Sequence, residues 1–221
     1  MPSVNEIISE AVEFTGASRF STTRTDSLLN KSYDKILGMQ LWPFLEITAT
    51  SVSVSSGAWT VPADLRAIIS VTNRTANVVL REESPRAFAA RVGEHGSEAA
   101  TVTSGQSALY YRVEGGLPGG TVTNWPSDSA AVFVQYFKDH DVLAAGGAES
   151  TILIPIRFHD VLSAGLNREL FLIQKDYESA VVWAGLFAAG VVEMTKSLFA
   201  STPGNAIVNP LLDEEGSDGD S

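Results

Sequence analysis

The side chains best suited to chemistry near neutral pH are three histidines, His95, His140 and His159. An imidazole can move a proton or hold a metal, provided that partners converge on it. His140 stands in Lys138-Asp139-His140-Asp141, between two carboxylates. A metal centre needs three or four ligands brought together, and the local spacing supplies no more of them. His95 falls in a glycine-rich polar stretch and reads as a solvated loop residue. His159 and Asp160 open an expected helix, where the carboxylate is accounted for by the positive end of the helix dipole. A serine nucleophile on a tight strand-to-helix turn carries Gly-x-Ser-x-Gly; Thr103-Ser104-Gly105-Gln106-Ser107 does not, and reads as loop. Gly115-Gly116-Leu117-Pro118-Gly119-Gly120 lacks the Gly-Lys-Ser/Thr of a phosphate loop and leads into no helix, so it reads as a turn. Glu82 and Glu83 precede a short helix and face water. The chain has no cysteine, which excludes disulfides, thiolate metal sites and cysteine catalysis. The expectation is a protein that is not an enzyme, with no catalytic residue, no metal and no cofactor.

The elements that would position a site are easier to read. Ser3-Val4-Asn5-Glu6 is a capping box, in which the Ser3 hydroxyl and the Glu6 carboxylate satisfy each other's free backbone N–H groups. It predicts a helix over 4–15 with an inner face of Ile7, Ile8, Ala11, Val12 and Phe14, ended by Gly16. After a Ser/Thr/Arg loop, Thr25 or Asp26 caps a second helix bearing Leu28, Leu29, Tyr33, Ile36, Leu37 and Leu41; Pro43 stops it. The middle of the chain changes to short β-branched runs. Strands are expected at 47–54, around Trp59 to Val61, at 66–75, 109–113, 120–124 and 131–137. Pro85 starts a short helix with Phe88, Ala89 and Val92 inside, followed by a polar loop from Gly93 to Gln106. Trp42-Pro43-Phe44 and Trp125-Pro126 read as aromatic anchors of a core.

Pro155 begins the last helical region. Leu162, Leu166, Leu170 and Ile173 recur at helical spacing, and Lys175-Asp176 joins this helix to another. That second helix contains Ala180 to Val192, apolar on all sides. A helix apolar all round must be enclosed all round, and a chain of 221 residues has limited means of doing so alone. Neighbouring copies are therefore expected to help, with Trp183, Leu186, Phe187, Val191 and Met194 as packing residues and Ala184, Gly185, Ala188, Ala189 and Gly190 permitting close approach. Pro203-Gly204 ends the helix. Asn205 to Ser221 reads as an extended arm, whose apolar part (Ile207, Val208, Pro210, Leu211, Leu212) could join a partner's groove or sheet edge. The arm cannot fold alone, being short of apolar residues and rich in charge.

The fold class expected is α+β: a bundle of N- and C-terminal helices with an inserted antiparallel β domain and an extended C-terminal arm. The divisions are a helical pair (1–45), a β-rich domain with one short helix (46–150), long C-terminal helices (151–202) and an acidic arm (203–221). Net charge is -11, and five acids without a base crowd the last nine residues, leaving 21 acids against 15 bases. Such a body does not grip nucleic acid, because phosphate binding requires clustered cations; it could still surround DNA without sticking. The N-terminus lacks the basic start and apolar run of a signal peptide. The longest apolar run, 13 residues from Ala180 to Val192, falls short of the roughly 18 that read as a membrane span. A soluble protein made in the cytoplasm, with no membrane partner, is expected.

Order and architecture carry a resemblance. A helical pair closes on Leu41-Trp42-Pro43-Phe44; a strand turn carries Trp59-Thr60-Val61-Pro62-Ala63-Asp64-Leu65; a strand carries Ile68-Ile69-Ser70-Val71. Ile154-Pro155-Ile156-Arg157-Phe158 later opens a helix, and Asp176-Tyr177-Glu178 precedes the last one. Over most of residues 1–200 the chain resembles the head-to-tail adaptor (connector) proteins of tailed bacteriophages. The resemblance implies a structural subunit of a ring, commonly twelvefold, that docks on the portal in the virion neck and joins it to a downstream tail or nozzle protein. DNA would pass through the channel without sequence-specific binding. It further implies that the arm, through Asn205, Ile207, Val208, Pro210, Leu211 and Leu212, reaches toward the portal. Two alternatives stand beside this one: a tail completion protein further from the portal, and a small β-sandwich hydrolase or binding module built around His140.

Overall fold

The computed structural model describes residues 3–95, 108–117, 119–125, 130–143 and 152–200, with 91–95 as backbone only. It divides into two compact units, one from residues 1–36 and 143–221 and the other from 37–142.

In the first unit, α1 (Val4–Thr15) starts at the capping box and stops at Gly16, which takes a left-handed φ of 64°. Ser3 Oγ accepts from the Glu6 amide at 3.3 Å, and Glu6 Oε2 accepts from the Ser3 amide at 2.6 Å. Ile7, Ile8 and Ala11 are buried as expected, but Phe14 is exposed and lies edge-to-face on Phe171 and Trp183. The next helix, α2 (Thr22–Gly38), begins three to four residues before the expected caps. Backbone carbonyl Ser21 O accepts from the Arg24 and Thr25 amides, so the helix is nucleated upstream of Thr25. It ends at Gly38, well before Pro43.

Pro155 precedes a single 3-10 turn, Ile156–Phe158, which leads into α4 (His159–Gln174). Lys175 is left-handed, and Asp176 caps α5 (Tyr177–Phe199), so the expected join lies where Lys175-Asp176 placed it. Leu162, Leu166 and Leu170 are fully buried along α4, which packs against α1 and α5. Two glycines set how closely the helices approach. A Cβ on Gly165 would stand 2.8 Å from Ser32 Cβ of α2 and 3.0 Å from Phe187 of α5, and one on Gly190 would stand 2.7 Å from Val161 of α4. Polar ties complete the unit. Asn30 bonds both backbone groups of Leu143 (2.7 and 3.1 Å), Tyr33 Oη accepts from the Leu153 amide (3.0 Å), and Lys31 pairs with buried Glu169 at 2.7 Å.

The second unit holds a seven-stranded sheet with α3 (Pro85–His95). Its strands are β1 (Glu46–Val52), β2 (Ala58–Thr60), β3 (Leu65–Asn73), β4 (Val78–Glu82), β5 (Tyr110–Glu114), β6 (Thr121–Trp125) and β7 (Val132–Lys138), in the order β1-β7-β3-β4-β5-β6-β2. Two features differ from expectation. Strand β4 was not anticipated: Val78-Val79-Leu80-Arg81-Glu82 is too short to alternate convincingly, and Leu80 is its one buried side chain. The sheet is also not wholly antiparallel, because β4 and β5 run parallel, connected through α3. A parallel pair requires a long crossover, and the Pro85 helix lies in it. The Gly115–Gly120 turn closes the β5–β6 hairpin, with Gly115, Gly116 and Gly119 at positive φ. Val71, Val122, Val134 and Trp59 are buried in the core, where Trp59 Nε1 donates to Asn124 Oδ1 at 3.1 Å. Trp42 is also fully buried, stacked on Phe44 at 5.8 Å between centroids.

Candidate functional site

The three histidines lie on or just beyond separate elements. His140 lies beyond the end of β7, and its Nδ1 is 3.3 Å from the carboxylate of its own neighbour Asp139. His159 is buried at the start of α4, and its Nε2 lies 3.0 Å from Ile154 O. His95 is not in a loop; it is the last residue of α3, which continues through Gly93. Thr103 to Ser107 lie outside the described residues. Glu82 faces water as expected but also accepts from Tyr111 Oη, a phenol held above its usual pKa first by burial and then by that carboxylate. Among the described residues, no group of three or more His, Asp or Glu is placed to hold a metal.

The distinctive surface is on α5. Phe187 and Met194 are buried within the chain, so the expected packing residues divide: these two hold α5 in place, Leu186 is exposed, and Trp183 and Val191 are half-buried. The opposite side of the helix is bare. Val181 is 71% exposed, Val182 62%, Leu186 52% and Val192 50%, with Gly185 and Ala189 on the same face. A Cβ on Gly185 would meet nothing within 4 Å. The small residues therefore do two jobs: Gly190 lets α4 approach, whereas Gly185 leaves the outer face smooth. Asp176 fixes the start of this helix by accepting from the Ser179 amide (3.1 Å) and hydroxyl (2.7 Å), and both bonds hold its pKa below the usual aspartate value. Contrary to the expectation from the 13-residue run, α5 at 23 residues is long and apolar enough to cross a membrane by length and composition. The proposed arm residues Asn205, Ile207, Val208, Pro210, Leu211 and Leu212 lie outside the described residues.

A helix pinned on one side by its own chain and bare and apolar on the other presents an interaction surface. The family model of the SU10 adaptor protein matches residues 2–207, nearly the whole chain. The chain belongs to the SU10 adaptor protein family. This is a family of phage head-tail adaptors, so its members are structural components of the virion, and membership points away from catalysis. It implies contact with portal and tail proteins and association into oligomers. No curated protein matches the chain. The adaptor resemblance read from the order of the motifs is thus the family itself.

Proposed function

We propose that this adaptor forms a ring, of about twelve copies as in the family it resembles, that docks on the portal in the neck and leaves a channel for DNA. The exposed stripe of α5 carries the reading. Leaving a Val or Leu in water forgoes about 1.5–3 kcal/mol relative to full burial, and four such side chains lie along one face. A neighbouring copy covers them, with Leu186, Trp183 and Val191 at the contact and Phe187 and Met194 behind it. A membrane could cover the same length of helix, but α5 keeps one side against α4 and carries Glu178 and Glu193 among its exposed residues. The helical segments of 1–45 and 151–202 act as one bundle, the β-rich segment 46–150 meets a neighbour or the next tail component, and the arm 203–221 docks on the portal through Asn205, Ile207, Val208, Pro210, Leu211 and Leu212. The acidic body lets DNA slide past without specific contacts.

The test is the mass of the full chain in solution and with portal. Val182→Asp and Leu186→Asp should each prevent self-association by light scattering while leaving the circular dichroism spectrum of the wild type. Unchanged association in both variants would remove α5 from the interface.

A further inference from the structure

Helices α1, α4 and α5 enclose a groove of about 330 Å³. One wall is aromatic: Phe14 and Trp183 meet edge-to-face at 5.4 Å, and Phe14 is exposed. Glu10, Asp160 and Asn167, which offer oxygen acceptors, line the groove together with Ser163 and the apolar Ile7 and Ala11. Asn167 is only 6% exposed, and its Oδ1 accepts no hydrogen bond among the described residues. A buried acceptor without a donor is costly. Asn167 Oδ1 is thus an unfilled acceptor, and the carboxylates of Glu10 and Asp160 beside it favour a positively charged donor. A guanidinium supplies several N–H groups, a permanent charge and a planar face that stacks on aromatic rings.

The same chain presents guanidinium groups just beyond α1, on residues that do not line the groove. Arg19, in the turn after α1, and Arg24, in the first turn of α2, both lie 5.3 Å from the centroid of the Phe20 ring. Both are exposed, and neither meets a carboxylate among the described residues. Lys31, by contrast, is already held by Glu169. In a chain of net charge -11, this turn is a preorganised basic knob.

We propose that the Phe14–Trp183 groove of one copy receives the Arg19–Arg24 turn of the next copy. The inference rests on the ring reading and specifies its polarity. Groove and knob are different patches, so the contact is head-to-tail, and head-to-tail contacts close into rings when the rotation permits. A two-fold dimer would instead require one patch to meet itself.

The absence of native cysteine makes the test direct. Full-length Thr23→Cys, which keeps both arginines, is mixed with full-length Glu10→Cys, and a short bismaleimide is added under conditions where the wild type self-associates or is bound to portal. Cross-linked heterodimers are expected, and a double variant carrying both Thr23→Cys and Glu10→Cys should give a ladder of larger species. In parallel, R19E/R24E should weaken association roughly tenfold or more without altering the melting temperature, and E10K/D160K on the partner copy should restore it. If copies associate but Thr23→Cys and Glu10→Cys do not cross-link, or R19E/R24E associates normally, the groove assignment is overturned while the ring reading survives. If the wild type stays monomeric both alone at high concentration and with portal, both fall together.

Discussion

Single atoms decide how close the helices come. Gly165 sits where any Cβ would press on Ser32 and Phe187, so Gly165→Ala should destabilise the protein by about 1–3 kcal/mol through overpacking. Gly185 faces open space, so Gly185→Ala should leave stability unchanged or raise it by up to about 1 kcal/mol from helix propensity alone. Thermal melts of the two variants check the contrast. The sequence pointed to Gly185 and Gly190 because they lie in a visible small-residue run, but it gave no sign that Gly165 matters, since the residue it abuts is distant in the chain. Asp176 offers a pH test. Its folded pKa lies below the ordinary value, so its cap contributes stability above the usual aspartate range and loses it as the pH falls through the folded value. Asp176→Ala should therefore unfold at lower urea concentration than the wild type at pH 7, and the gap should close in acid.

At the level of elements, α5 has two faces with different work. Phe187→Ala removes a buried ring that fills the space beside Gly165 and should cost about 3–5 kcal/mol in urea unfolding. Leu186, the preceding residue of the same helix, is exposed on its outer face and should matter only to assembly. Helical spacing identified both as apolar but could not separate them, because a helix apolar all round carries no phase to show which side its own chain covers. Helix α1 shows the same limit: Phe14 fits the inner stripe by spacing, yet the fold leaves it exposed against Trp183. Strand β4 went unread for the opposite reason, since five residues with one buried side chain give no period, and its pairing with β3 and β5 is what makes it a strand.

For the whole molecule, the strands lie together in the middle of the chain, with α1 and α2 before them and α4 and α5 after. Removing residues 203–221 should leave the melting curve of the helices and sheet unchanged while portal binding in a pull-down is lost; retained binding would move the portal contact elsewhere. An acidic chain with no cysteine also predicts assembly that is insensitive to reductant.

The sequence by itself determined most elements and the adaptor family, because caps, prolines, β-branched runs and helical periods are local signals that act within a few residues. It also showed that the last helix holds more apolar surface than one chain readily hides. Only the tertiary structure decided which side of that helix is hidden, that Gly165 and Gly190 are contact points, that β4 and β5 run parallel, and that Asn167, Glu10 and Asp160 share a groove with two aromatic rings. Those facts depend on which distant segments meet, and packing chooses among faces that local periodicity leaves equivalent.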